Sequence, residues 1–404
     1  MTQGRPPSLQ RSIAQLKYQN VTKIKILNRD FILCFFAQFA FSLVFCLLIP
    51  TIPIYLSRFE AKEAEIGLLI GIFSVSSLIL RPVVGRGLLS IPERNFMIPG
   101  TILYIFSSIA YLLAPPFWPL FIVRFIHGIG LALFSTAIFT LVANITPETR
   151  RGQLISYFYL SFNLAFALGP YFGMLIINQF NFVVLFWICA GLSSCSLLII
   201  LKLGTRKVIP SRPQSFNLQT ILNREALPPS MIAFMLNIIW GTLTAFLPLH
   251  ALRHGVSNPG VIFVFLAITL VLGRVLGAKI LDTYDRNKVI MPCLIAIFIS
   301  LAILTFSTTL PMYILVVVIL GTGWALLYPS LMIYAIENAG PAQGPAMGTF
   351  TALGDLGAGI GPMIMGIILQ GTSYPIMFSC LALTEALNFL YFYYVIGRKG
   401  RMPV

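Results

Sequence analysis

The chain repeats one feature that leaves little choice of fold: continuous apolar runs about as long as a bilayer is thick. A hydrocarbon core of about 30 Å takes roughly 20 helical residues. Only helices or closed barrels satisfy their backbone inside lipid. With Gly, Pro and charge clusters as punctuation, runs fall at 31–52, 66–88, 96–114, 117–142, 152–176 and 182–203. A second set falls at 230–251, 259–281, 289–309, 311–336, 345–370 and 374–396. They do not alternate at period two, which excludes a barrel. Two long runs are split at Ala114-Pro115-Pro116 and Thr308-Thr309-Leu310-Pro311, where Pro suits a turn. The count is twelve. Only 10% of the residues are charged and 58% are hydrophobic, far from the roughly one quarter charged that keeps a soluble domain wet.

Charge then sets orientation. Twelve spans place the N-terminal tail, the even-numbered turns, the central linker and the C-terminal tail on one side. That side carries all the Lys and Arg except Arg58, Lys62 and Arg253 on the other side and Arg124 inside a span. Lys and Arg gather on the cytoplasmic side, so both termini are expected there. The net charge of +15 reflects this bias and contact with anionic lipid, not nucleic-acid binding. The chain divides into a basic tail (1–28), a first half (29–203), a polar linker (204–229), a second half (230–397) and a short tail (398–404). The first apolar segment is too long for a signal peptide and lacks a small-residue cleavage site.

The halves repeat each other. Arg81-Pro-Val-Val-Gly85 recurs as Arg274-Val-Leu-Gly277, and Gly128-Ile-Gly130-Leu-Ala-Leu as Gly321-Thr-Gly323-Trp-Ala-Leu. Gly169-Pro170 with Gly173 recurs as Gly361-Pro362 with Gly366. All three sites share one register. Two six-helix halves about an axis along the membrane normal form a transporter architecture, with the substrate site between them near the midplane.

On these motifs the chain resembles the major facilitator superfamily from residue 29 to about 397, and most of all its bacterial drug and metabolite:proton antiporter branch. The family's motif between spans two and three, roughly Gly-x-x-x-Asp-Arg-x-Gly-Arg, is matched by Gly85 and Arg94, with Ser90 at the acid's place. Its second-half copy keeps Gly277, Asp282 and Arg286. The family's span-four Arg matches Arg124. Its span-five antiporter signature matches Gly169, Pro170 and Gly173, and Gly361-Pro362 gives a fuller copy. The resemblance implies an all-α membrane protein that carries small solutes by alternating access, with spans one, four, seven and ten lining the cavity. It implies residence in the bacterial inner membrane.

The residues also have a reading of their own. Small residues four apart let helices approach closely, and Pro bends them. Gly169-Pro170 and Gly361-Pro362 are therefore either packing kinks or gate elements. Arg81 and Arg274, at matching ends of spans two and eight, either snorkel or form ion-pair latches. Of twelve acids only Asp355 and Glu385 fall deep in spans, and Arg124 is the only deep base. Each costs about 2.5–3.5 kcal/mol to insert, so each needs a partner, water or a neutral state. Arg124 either reaches the second half, binds backbone carbonyls or meets an anionic substrate. Asp355 is the first candidate to carry a coupling proton, the alternative being a structural cap on kinked backbone. Glu385, in span twelve, is the weaker candidate.

Polar and aromatic residues at helical spacing mark the cavity: Gln38, Ser42 and Phe45; Arg124, His127, Leu131 and Ser135; Asn237, Trp240 and Thr244; Trp324 and Tyr328. An apolar aromatic cavity with one cation suits an amphipathic or anionic organic solute. The cysteines and histidines show no metal spacing, and neither a catalytic constellation nor a phosphate-cradling loop is present, so no cofactor is expected. The leading function is proton-coupled efflux of a small molecule. Uptake or lipid translocation on the same scaffold is the alternative, and a receptor or membrane enzyme a distant third. The expected partners are substrate, protons and membrane lipids, and the expected state is a monomer.

Overall fold

The computed structural model describes residues 29–113, 117–146, 151–204, 223–283, 286–338 and 343–396. Within them the chain is helical, without strands. The first half comprises α1 (Arg29–Ser57), α2 (Glu63–Gly87), α3 (Arg94–Leu113), α4 (Trp118–Ile145), α5 (Arg151–Gln179) and α6 (Phe182–Leu201). A 3-10 turn, Arg224–Ala226, leads into α7 (Leu227–Arg253). Then follow α8 (Gly260–Thr283), α9 (Arg286–Leu304), α10 (Leu310–Asn338), α11 (Gln343–Gly371) and α12 (Tyr374–Tyr391), which ends in a π-helical turn at Phe392–Ile396. Among the described residues eleven helices are long and apolar enough to cross a membrane, and Lys288–Leu304 is a shorter apolar helix. That helix corresponds to the ninth expected span.

Several helices outrun their expected bounds. The first span, expected to end at 52, continues through Pro50 and Pro53 to Ser57 as α1. At 1.5 Å per residue its 29 residues exceed the hydrocarbon thickness. Each Pro removes one backbone donor, yet the neighbouring turns hold the helix together. Turns are short, and Asn181 caps α6 by accepting from the Val184 amide at 3.0 Å.

The sequence repeat is visible in packing. In the first half α1 packs on α5 and α4 on both α2 and α3; in the second, α7 packs on α11 and α10 on both α8 and α9. Between halves the related pairs are α2 with α11 and α5 with α8. Helix direction alternates, so the start of α1 and the α2–α3, α4–α5 and α6–α7 connections share one side, here called the basic side. The α1–α2 and α7–α8 turns lie on the far side.

Glycine lets the two halves meet. A Cβ on Gly67 would collide with the Pro362 carbonyl and stand 3.3 Å from Gly366 Cα; one on Gly71 would strike the Gly359 carbonyl and Met363. The Gly-Pro motifs have the same two-faced arrangement in each half. Gly361 packs against Ile238 of α7 in its own half while Pro362 meets Gly67 of α2 in the other. Gly169 packs against Cys46 and Leu47 of α1, and Gly173 against Leu47, while Pro170 meets Gly260 of α8 across the interface. The same dipeptide thus tightens a half and shapes the seam between halves.

Candidate functional site

The seam ends in charge. Arg81 of α2 forms an ion pair with Asp355 of α11, joining the two halves. Counting 1.5 Å per residue from Gln343 puts Asp355 about 18 Å along its helix, near mid-membrane. The pair is not sealed: the side chains are 33% and 32% exposed. Two residues that sequence reasoning treated as serving separate roles, latch and proton carrier, therefore share one contact.

Tyr159 of α5 lies within electrostatic reach of Arg81, Asp355 and Arg274. It is a solvent-accessible residue that the expected set missed; nothing in a lone Tyr signals such a position. Arg274 is exposed and sits beside Tyr159. Arg81 and Asp355 thus meet between α2 and α11, with the Tyr159 phenol within electrostatic reach of both and of Arg274 of α8. A partly exposed carboxylate held by one guanidinium can bind or release a proton, and the guanidinium can turn to an organic anion instead.

An aromatic ladder runs alongside. Phe166 of α5 meets Trp240 of α7 at 5.5 Å between ring centroids, Trp240 meets Trp324 of α10 at 5.0 Å, and Trp324 stacks on Tyr328 at 6.3 Å. The expected residues Trp240, Trp324 and Tyr328 are brought together, and Phe166 extends them across the interface. A Cβ on Gly354 would lie 3.2 Å from both the Tyr328 hydroxyl and the Asn237 amide. The ladder therefore ends one residue from Asp355. Asn237 also donates to Ala233 O at 2.8 Å.

The first-half stripe is placed differently. Gln38 donates to Ser42 at 2.8 Å, and both are buried; Phe45 stacks on Phe73. His127 is fully buried, with Nδ1 2.9 Å from the Tyr111 hydroxyl. Arg124, 7% exposed, donates Nε–H to Leu69 O of α2 at 3.0 Å and Nη1–H toward the Tyr111 hydroxyl at 3.5 Å, with its guanidinium 4.7 Å over Phe73. Of the three alternatives for Arg124, the observed contact is a backbone carbonyl. The Tyr111 hydroxyl accepts from Arg124 and shares a second hydrogen bond with His127 Nδ1, whose direction depends on the imidazole tautomer. Arg124→Ala should accordingly lower the melting temperature in detergent, since a hydrogen bond from a charged group contributes about 1.5–3 kcal/mol. Unchanged stability with lost ligand affinity would put Arg124 on the substrate instead.

The remaining candidates divide clearly. Arg94 donates to Leu201 O at 2.8 Å, stapling α3 to α6 within one half. Nearby Glu93, outside the motif positions, accepts from Asn144 at 2.8 Å and ties the α2–α3 turn to α4. A Cβ on Gly85 would meet nothing within 4 Å, whereas one on Gly277 would strike Leu326. The side chains of Asp282 and Arg286 lie outside the described residues. Glu385 is wholly buried in α12 and accepts from Asn388 at 3.3 Å; Asn388 also reaches Ile232 O of α7 at 3.5 Å. Glu385 therefore faces its own bundle, not lipid.

The model of the Major Facilitator Superfamily matches residues 34–362. Multidrug resistance protein 1 of Bacillus subtilis is 24% identical over 83% of this chain and 89% of its own length. Quinolone resistance protein NorA of Staphylococcus aureus is 23% identical over 85% of this chain and 91% of its own. In fold, the nucleoside transporter NupG matches with a TM-score of 0.76 over 93% of this chain and 100% of that one, at 13% identity. The human organic anion transporter MFSD10 matches with a TM-score of 0.69 over 90% and 100%, at 16% identity. The repeated six-helix halves, the glycine seam between them and the family match over most of the chain lead to one conclusion: this protein is an integral membrane transporter belonging to the Major Facilitator Superfamily.

Proposed function

We propose that the protein is a proton-coupled exporter of small amphipathic organic molecules, with both termini cytoplasmic. The Arg81–Asp355 pair between the halves carries this reading. Only the ionised carboxylate can pair with a guanidinium, so loss of a proton from Asp355 is what lets the pair form across the α2–α11 seam. Far-side contacts close the seam beyond the pair, so water reaches Asp355 from the basic side. In this state the proton has left and the substrate is awaited. Substrate lies against Trp240, Trp324 and Tyr328, with Arg274 and Tyr159 receiving its polar end. Rocking of the halves then opens the far side, where protonation of Asp355 frees Arg81 and resets the carrier.

Export is supported by the relatives named for multidrug and quinolone resistance; the basic-side bias of Lys and Arg supports the orientation of the termini. Inverted vesicles with an acid interior, offered fluorescent amphipathic dyes, test it. Dye should accumulate several-fold above control vesicles and leak out when a protonophore collapses the gradient. Accumulation that ignores the gradient, or runs with the proton, would overturn the reading.

A further inference from the structure

The seam between the halves is built twice, and the two copies differ in one group. A Cβ on Gly260 of α8 would strike the Pro170 carbonyl of α5, just as one on Gly67 of α2 would strike that of Pro362 of α11. From these contacts the copies run in register. The step from Gly67 to Arg81 equals that from Gly260 to Arg274, and the step back from Pro362 to Asp355 equals that from Pro170 to Asn163. Arg81 meets a carboxylate. Its counterpart Arg274 is matched by a neutral amide.

The α5 helix fixes where that amide lies. Tyr159, Asn163, Phe166 and Pro170 follow helical spacing and share one face. Three of them are placed against α8: Tyr159 beside Arg274, Phe166 with its ring centroid 6.4 Å from that of Phe263, and Pro170 against Gly260. Asn163 lies between them on the same face, half-buried. Among the described residues, Arg274, Asn163 and Tyr159 have no hydrogen-bond partner, and Arg274 has no ion pair. Arg274 stands about 21 Å along its helix from Gly260, inside the span. A guanidinium at such a depth calls for a counter-charge or water. Of the charged groups around Tyr159, Arg81 and Asp355 cancel each other and Arg274 is left over. Phe166 also starts the aromatic ladder that passes through Trp240 and Trp324 to Tyr328. Three unengaged donors, one of them charged, thus lie within a helical turn of a flat apolar wall.

We propose, on the reading of this region as the substrate site, that Arg274, Asn163 and Tyr159 form the receptor for an anionic group on the substrate, a carboxylate or sulfonate joined to a flat aromatic body. The guanidinium can donate two parallel hydrogen bonds to such a group, and the amide and the phenol can each add one. The anion then stands at the α5–α8 seam where Asp355 stands at the α2–α11 seam, and its ring lies along Phe166 and Trp240. A carboxylate supplied by the chain itself in place of Asn163 would fill the receptor and exclude the substrate.

Equilibrium binding of three probes with one ring system, pyrenebutyrate, pyrenebutanol and pyrenebutyltrimethylammonium, tests this in full-length protein in lipid nanodiscs, with empty nanodiscs as the partition blank. No gradient is applied, so neither export nor proton coupling enters the readout. Pyrenebutyrate should bind about tenfold or more tightly than the neutral alcohol, the ratio that a charge-assisted hydrogen bond supplies. Arg274→Gln and Asn163→Asp should each abolish that preference while leaving binding of the alcohol unchanged, which also shows that the variants fold. Equal binding of the three probes by the unmodified protein overturns the anion receptor and leaves the substrate site standing. A preference that survives Arg274→Gln or Asn163→Asp places the anion elsewhere, Arg81 included, and equally overturns it. Failure of all three probes to bind overturns the receptor together with the substrate site. Should Asn163→Asp lose the alcohol as well, as a misfolded protein would, Arg274→Gln decides, since it removes a side chain without a protein partner.

Discussion

Asp355→Asn should reduce gradient-driven transport at least tenfold while substrate exchange across proteoliposomes, measured without a proton gradient, continues. The amide cannot ionise, so it cannot link proton loss to the partnership with Arg81. Exchange needs only that the halves rock with substrate bound, which a neutral side chain permits. The variant also leaves Arg81 without its counter-charge near mid-membrane. An uncompensated charge there costs on the order of 2.5–3.5 kcal/mol on insertion scales, moderated because the side chain is one-third exposed. Arg81→Gln/Asp355→Asn separates the two effects. It removes both charges together, so stability should recover while coupling stays lost. Undiminished gradient-driven flux in either variant would remove Asp355 from the coupling step.

Gly67→Leu should nearly abolish transport by holding the far side open. The first atom of any side chain here falls on the Pro362 backbone, which cannot turn aside as a flexible side chain would. Over-packing a close contact typically costs about 1–3 kcal/mol. Because α2 and α11 belong to different halves, the cost falls on the far-side-closed state and not on the fold of either half. One to three kcal/mol is roughly a five- to 150-fold change in the population ratio of the two states. The same substitution at Gly85, where a Cβ meets nothing within 4 Å, should be tolerated. Spin labels at the exposed far-side positions Gln179→Cys and Gly371→Cys, in protein carrying Cys195→Ser and Cys380→Ser, would read the difference directly: a longer far-side distance at neutral pH for Gly67→Leu, and none for Gly85→Leu. Transport by Gly67→Leu at the unmodified rate would show that the seam opens too little to be a gate.

Much of this architecture was legible because the rules that set it act along the chain. The apolar runs, their punctuation and the repeated Arg, Gly and Gly-Pro positions could be read without tertiary information. Helical spacing placed Trp240 on one face, and Trp324 with Tyr328 on another, and the family resemblance set spans seven and ten beside one cavity; the rings do meet. For the first-half stripe the same rule says less. Spacing puts Gln38, Ser42 and His127 on a face without saying whether that face meets water or a neighbouring helix, and the side chains are buried. Arg253 stood out only as one of three far-side basic residues, and nothing marked Glu63 as its partner. Their pairing needs the ends of α2 and α7 to meet.

The sequence by itself determined a helical bundle in lipid, its division into two related halves and the side on which basic residues gather. Those follow from the burial of backbone polar groups and from charge beside anionic lipid, which depend on residue order alone. Tertiary structure alone decided that Arg81 answers Asp355, that Arg124 spends its hydrogen bonds on the Leu69 carbonyl, and that Pro362 lies against Gly67. Each is a choice of partner between distant helices. Which partner a charge or a glycine meets depends on how the two halves register against each other, and no local pattern encodes that.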